Sequence, residues 1–161
     1  MRSEVFLDTA FALALANVND LLHVRAVSLA DQLEAQATRL ITSRPVLLEI
    51  GNSLAKLRYR SSAARILTSL EEDPLVEIVP LTDELYHEAL QLYRERSDKE
   101  WGLVDCVSFI IVQDRGITEA LTPDKHFEQA GFQALLERTR AETNPGPAAE
   151  FERINEDMAQ M

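Results

Sequence analysis

The residues Glu4-Val5-Phe6-Leu7-Asp8-Thr9, leading into Ala10-Phe11-Ala12-Leu13-Ala14-Leu15-Ala16, decide the fold class. A short apolar-rich run from Glu4 to Leu7 stops at an acid and a hydroxyl residue. That is the pattern of a buried strand passing into a turn or helix. The same alternation continues outward along the chain. A helix from about Ala10, and a second from Asp20 as N-cap to Gln36, precede a strand at Arg39–Thr42. Ser43 offers the next N-cap, with Pro45 just inside a helix expected to run to about Tyr59. Ser61–Glu72 continues as helix until Asp73-Pro74 breaks it. Val76–Val79 is a third strand, and Thr82 or Asp83 opens a helix through Leu92. After the polar stretch Ser97–Gly102 comes the helix Leu103–Gln113, ended near Gly116. Glu119–Leu121 and Phe132–Leu135 are the last strands, around a short turn or helix at Asp124–Gln129. Strands separated by helices pair in parallel through right-handed crossovers. The expected architecture is a three-layer α/β sandwich with a mainly parallel central sheet flanked by helices.

The chain has 161 residues, enough for one domain with a real core and too few for two. Residues 1–136 read as that domain. Residues 137–161 read as a C-terminal appendage, disordered or a peripheral helix, because Asn144-Pro145-Gly146-Pro147 breaks structure. No apolar run reaches the roughly 18 residues of a membrane helix. Phe11–Ala16 follows the acids Glu4 and Asp8, so it does not read as a signal peptide. The single cysteine, Cys106, has no internal disulfide partner, which fits a reducing cytoplasm and a buried apolar role. A net charge of −11 argues against a simple polyanion binder. Yet Leu54–Leu70 contains no acid while holding Lys56, Arg58, Arg60 and Arg65, and acidic totals also rise when carboxylates gather around a cation.

In an open α/β sheet, ligands sit beyond the carboxyl ends of the strands. Asp8 stands where the first strand ends, and Asp124 follows the strand Glu119–Leu121 at Thr122-Pro123. Glu49 lies within Val46-Leu47-Leu48-Glu49-Ile50 and Asp105 within Leu103-Val104-Asp105-Cys106-Val107, each a charge near the start of an apolar helix. Burial of a lone carboxylate costs several kcal/mol unless it is paired or cation-bound. One acid at a helix start has an ordinary explanation, favourable interaction with the helix dipole. Four acids, two after strands and two at helix starts, suit one or two hard divalent cations such as Mg²⁺ instead. No cysteine or histidine cluster points to zinc. On a continuous helix Lys56 and Arg60 project to Glu49's side, giving a basic stripe suited to phosphates; a solvated helix face is the plainer reading of the same charges. Asp98, in a polar loop before Asp105, is a further candidate for the acidic group. His126 reads as a surface or packing residue, and Trp101 as a packing residue ahead of Asp105.

Together these motifs resemble the PIN-domain family, and within it the VapC-like toxin ribonucleases. The resemblance rests on Val5-Phe6-Leu7-Asp8-Thr9, Leu48-Glu49-Ile50-Gly51-Asn52, Leu103-Val104-Asp105-Cys106, Leu121-Thr122-Pro123-Asp124-Lys125-His126-Phe127 and the closing Ala130-Gly131-Phe132. It spans Val5 to Leu136, and the tail beyond Glu137 is longer than such toxins usually carry. It implies Mg²⁺ or Mn²⁺ held by Asp8, Glu49, Asp105 and Asp124, and RNA phosphodiesters as substrate. Thr9, Asn52 and Thr122 fall where supporting polar residues are expected. It also implies a homodimer and a small inhibitory antitoxin, with Phe11–Ala16 and Asp20–Gln36 carrying more apolar residues than one buried stripe needs. The rival readings are a PIN-like module that only binds protein, and a HAD-type phosphatase. The phosphatase wants a second acid two positions after the first, where this chain has Ala10.

Overall fold

The computed structural model describes residues Ser3 to Leu136; the expected appendage, 137–161, lies outside them. Among the described residues five strands form one sheet: β1 (Glu4–Leu7), β2 (Arg39–Ser43), β3 (Val76–Val79), β4 (Glu119–Leu121) and β5 (Gln133–Ala134). Their order is β3-β2-β1-β4-β5, and every neighbouring pair is parallel. Seven helices join them: α1 (Thr9–Ala16), α2 (His23–Ala35), α3 (Arg44–Ser53), α4 (Leu57–Glu72), α5 (Asp83–Glu95), α6 (Leu103–Arg115) and α7 (Lys125–Gln129). The chain first winds one way from β1 to β3, then crosses back to β4 and β5. Right-handed crossovers therefore put α1–α4 on one face and α5–α7 on the other. The direction reverses between β1 and β4, so these two strands flank the topological switch point.

The core is built on β1, whose Val5, Phe6 and Leu7 are buried with Ile41, Ala120 and Leu121 of its neighbours. Phe6 pairs in register with Ile41 on one side and Ala120 on the other. Such a doubly covered strand has no polar alternation to show, which is why it reads as an unbroken apolar run. Thr42 is buried in β2 and donates its hydroxyl to Leu7 O at 2.9 Å, tying the ends of β1 and β2 together. Ser43 caps α3 by accepting Val46 N–H, with Pro45 in the first turn as expected. Thr82 caps α5 in the same manner. Gly116 closes α6 at φ 64°, a left-handed conformation that costs glycine little.

Two local expectations are corrected. Asp20 is not the cap of α2. Its carboxylate accepts Leu22 N–H within the turn before the helix, which starts at His23. The helix carrying Glu49 does not reach Tyr59: it stops at Ser53, and α4 starts afresh at Leu57 after a break. Gly51-Asn52-Ser53, three poor helix formers, supply the reason. Leu57, at the start of α4, is 91% exposed, whereas Leu54 just before the break is buried.

Candidate metal centre at the switch point

Asp8 follows β1 directly and is the N-cap of α1, 7% exposed. Thr122, fully buried just after β4, donates its hydroxyl to Asp8 Oδ2 at 2.9 Å. The same Thr122 oxygen accepts Asp124 N–H at 3.1 Å. One hydroxyl thus links the acid after β1 to the acid after β4. Asp124 caps α7, its Oδ1 accepting His126 N–H at 2.9 Å. Asp105 sits in the first turn of α6, where Oδ2 accepts Gly102 N–H at 3.0 Å. Glu49 projects from α3, which touches α6, and its charge is felt at Asp8 together with that of Asp105. Asp105 and Asp124 therefore approach one another at the end of the sheet where Thr122 joins Asp8 to Asp124, and Glu49 acts on Asp8 through its charge.

The electrostatics reflect that crowding. Burial pushes the Asp8 carboxyl up to about 7, against the lowering effect of the Thr122 hydroxyl and Thr9 N–H, while Asp105 and Glu49 push it further. Asp105 is also raised, first by burial and then by Asp124, with Gly102 N–H and His126 opposing. Beside Asp8, the buried Thr9 Oγ1 has no hydrogen-bond partner. Hard carboxylate oxygens held close against their own repulsion, next to an unpartnered hydroxyl, are a donor set that fits a divalent cation.

Not every candidate joins this group. Asp98 is exposed and accepts from Nε and Nη2 of Arg96 at 2.9 and 3.1 Å, with Lys99 Nζ 3.7 Å from its Oδ2. Arg96 holds it low, at about 2, so its interactions are an external ion pair and not the acidic group. Asn52 is exposed at the end of α3. Lys56 is the N-cap of α4, and Arg60 on α4 donates to Ala55 O at 2.9 Å. With the helix interrupted, their alignment with Glu49 on one helical face no longer holds. A cavity of about 920 Å³ lies at the opposite edge of the sheet among Glu4, Arg39, Leu75 and Arg115–Glu119, and none of the four acids lines it. Both arginines there are engaged in ion pairs, Arg39 with Glu4 and Glu77 and Arg115 with Glu77.

A family model, PIN domain, matches residues 5–133. The chain belongs to the PIN-domain family. This PIN domain is 29% identical over 135 residues to the 23S rRNA-specific endonuclease VapC20 of Mycobacterium tuberculosis, covering 80% of this chain and 95% of that one. The same relative appears in a second strain of that species at the same identity. The crystal structure of VapC20, described as a sarcin-ricin loop cleaving toxin, superposes with a TM-score of 0.69 at 28% identity, over 80% of this chain and 95% of that one. FitAcB from Neisseria gonorrhoeae shares the fold, with a TM-score of 0.56 at 20% identity over 81% of this chain and 95% of that chain.

Two features of this PIN domain escaped the sequence reading. His126 is not a bystander: its Nδ1 lies 3.2 Å from Asp105 Oδ2 and 3.4 Å from Asp124 Oδ1. Beneath the acids runs an aromatic cluster. Phe127 stacks on Phe6 and meets Phe109 edge-on at 4.9 Å, and Phe109 in turn meets Trp101. Phe6 precedes Asp8 by two residues, Phe109 follows Asp105 by one helical turn, and Phe127 follows Asp124 by three. The elements that carry three of the acids are thus docked through their own aromatic residues. The signal was the presence of a phenylalanine within four residues of each of these acids. Trp101 packs as expected, with Nε1–H donating to Gln129 Oε1 at 3.0 Å.

Proposed function

We propose that this PIN domain is a divalent-metal-dependent endoribonuclease, the toxin of a toxin–antitoxin pair, with Asp8, Glu49, Asp105 and Asp124 as its metal-holding and catalytic acids. What supports the reading is the approach of Asp8, Asp105 and Asp124, with the charge of Glu49 felt at Asp8, at the switch point beyond the ends of the paired strands β1 and β4. Mg²⁺ or Mn²⁺ is the cation this oxygen set suits. When bound, such a cation supplies a water of lowered pKa and neutralises charge on the scissile phosphate. The chain's own residues do the positioning. Thr122 holds Asp8 and the backbone of Asp124 in one frame, Gly102 N–H fixes Asp105, and Thr9 lies beside Asp8 as a further hydroxyl. Lys56 and Arg60, exposed in the connection and helix that follow Glu49, are the basic groups offered to RNA phosphates. They counter locally a net charge of −11 that otherwise repels the substrate.

VapC20 is described as a 23S rRNA endonuclease, so a structured rRNA hairpin is the first substrate to try. The same reading includes a homodimer and an antitoxin that delivers an arginine to the carboxylates. An exposed apolar strip of Val18, Leu21, Val24 and Val27, on and just before α2, supports a protein interface. The deciding experiment is cleavage of a mixed RNA panel, rRNA hairpins included, by metal-free protein with and without added Mg²⁺ or Mn²⁺. Cutting is expected only with metal and is abolished in Asp8→Asn and Asp124→Asn. Undiminished cutting in EDTA by a verified metal-free sample overturns the assignment.

A further inference from the structure

We propose that His126 is a nitrogen ligand of the cation held by Asp105 and Asp124, which makes that end of the centre chemically unlike the all-oxygen end at Asp8 and Glu49. The proposal rests on the metal-nuclease reading above and extends it to a residue outside the four acids. One atom each from Asp105, Asp124 and His126 lie within 4.8 Å of one another, and all three side chains are half-buried. An octahedral shell with bonds of about 2.0–2.1 Å sets adjacent donors roughly 3 Å apart and opposite donors roughly 4 Å apart. The separations of His126 Nδ1 from the two carboxylate oxygens, 3.2 and 3.4 Å, are those of adjacent donors.

The backbone supports this placement. The backbone N–H of His126 donates to Asp124 Oδ1, so the main chain that carries the ring is held by the acid it would share a cation with. Phe127, the next residue, is wholly buried in the aromatic cluster and fixes the start of α7 against β1 and α6. Nδ1 hydrogen-bonds Asp105 Oδ2 and the same nitrogen also faces Asp124 Oδ1, so two carboxylates from separate elements converge on one ring atom. Imidazole nitrogen favours later first-row ions over Mg²⁺ much more than carboxylate oxygen does. The centre should therefore prefer Co²⁺ strongly over Mg²⁺, and lose that preference with the ring.

The test uses the full chain loaded with Mn²⁺ and examined by electron spin-echo spectroscopy, with and without ¹⁵N-labelled histidine. A directly coordinated nitrogen is expected, altered by the label and absent in His126→Gln. Calorimetry should show Co²⁺ affinity falling about tenfold or more in His126→Gln while Mg²⁺ affinity changes less than about threefold. Mn²⁺ bound with oxygen coordination alone, or an unchanged Co²⁺-to-Mg²⁺ ratio in the variant, overturns the role of His126. Asp8→Asn separates the two ideas. Cation binding weakened in that variant with no nitrogen signal in the wild type leaves the metal centre standing and removes only His126. No cation bound by the wild type removes both.

Discussion

Asp8 concentrates the energetic tension of the molecule in one side chain. Its carboxyl is raised to about 7 mainly by burial, so in metal-free protein its ionisation opposes folding. The folded-state value lies above the unfolded one, near 4. Its contribution to stability is therefore complete below about pH 4 and lost as pH rises through about 7. In EDTA, Asp8→Asn should melt above the wild type by a margin that opens across this window and reaches a few kcal/mol at its upper end. Added Mg²⁺ should reverse the ranking, because a ligand specific to the native state stabilises only the protein able to bind it. Melting curves from pH 4 to 8, with and without metal, check both halves; an unchanged gap across the window refutes the first. Thr122→Val is the complementary change. It keeps the shape of a fully buried side chain but removes the bridge between Asp8 and Asp124, and it should cost about 1–2 kcal/mol. Metal affinity should fall roughly 10–100-fold, as for other groups that orient ligands, and calorimetry reads it. At this scale the positions of the acids were legible, since Asp8 and Asp124 follow strands and Glu49 and Asp105 interrupt apolar runs. The attachment of Asp98 to Arg96, and the approach of His126 to two carboxylates, were not. Both depend on side-chain directions that local sequence spacing leaves open.

Among the elements, strand and cap positions followed the sequence closely. Apolar runs bounded by Ser43, Asp73-Pro74, Thr82 and Gly116 leave the chain few alternatives. One exception is Asp20, which holds the turn before α2 and does not cap the helix; the other is the passage from α3 to α4, where Leu54 and Leu57 sustain an apolar rhythm and no proline marks the stop. Leu54 is buried and Leu57 faces solvent, so the periodicity crossed a break in the backbone without registering it. Lys56 and Arg60 consequently depend on the fold of this connection, and not on one helical face, for their relation to Glu49. Replacing both by Ala should flatten the salt dependence of RNA binding by about 1.4 in log–log slope for a single-stranded target, with little effect on melting. Filter binding over a salt series measures it, and an unaltered slope returns both side chains to ordinary solvated roles. The aromatic cluster makes the opposite kind of prediction. Phe127→Ala should cost about 3–5 kcal/mol and displace α7, because Phe127 is fully buried and joins β1 to α6. Denaturant titration gives the stability, and metal affinity reports the displacement.

For the molecule as a whole, the exposed strip on α2 gives the clearest expectation. Val24 and Val18 are 80% and 75% exposed, and neither is needed by the core. Val24→Glu should dissociate a dimer while leaving the melting of the isolated subunit almost unchanged, as seen by light scattering over a dilution series. A wild type that stays monomeric throughout refutes the interface. The sequence reading located apolar excess in both α1 and the segment after it, but Phe11, Ala12 and Ala14 of α1 are buried, so only the later segment presents it. Among the described residues, no helix is long and apolar enough to cross a membrane. The strand order has a kinetic consequence as well. Asp8 and Thr122 stand 114 residues apart, and β1 waits for β4 as one of its two neighbours while the intervening chain is synthesised. Parallel pairing of this kind makes contact order high and folding slow. A growing chain on the ribosome can assemble the β1–β2–β3 side early, yet it has no complete acidic centre until β4 and α7 emerge. Until then the acids after β1 and β4 cannot work together, by connectivity alone.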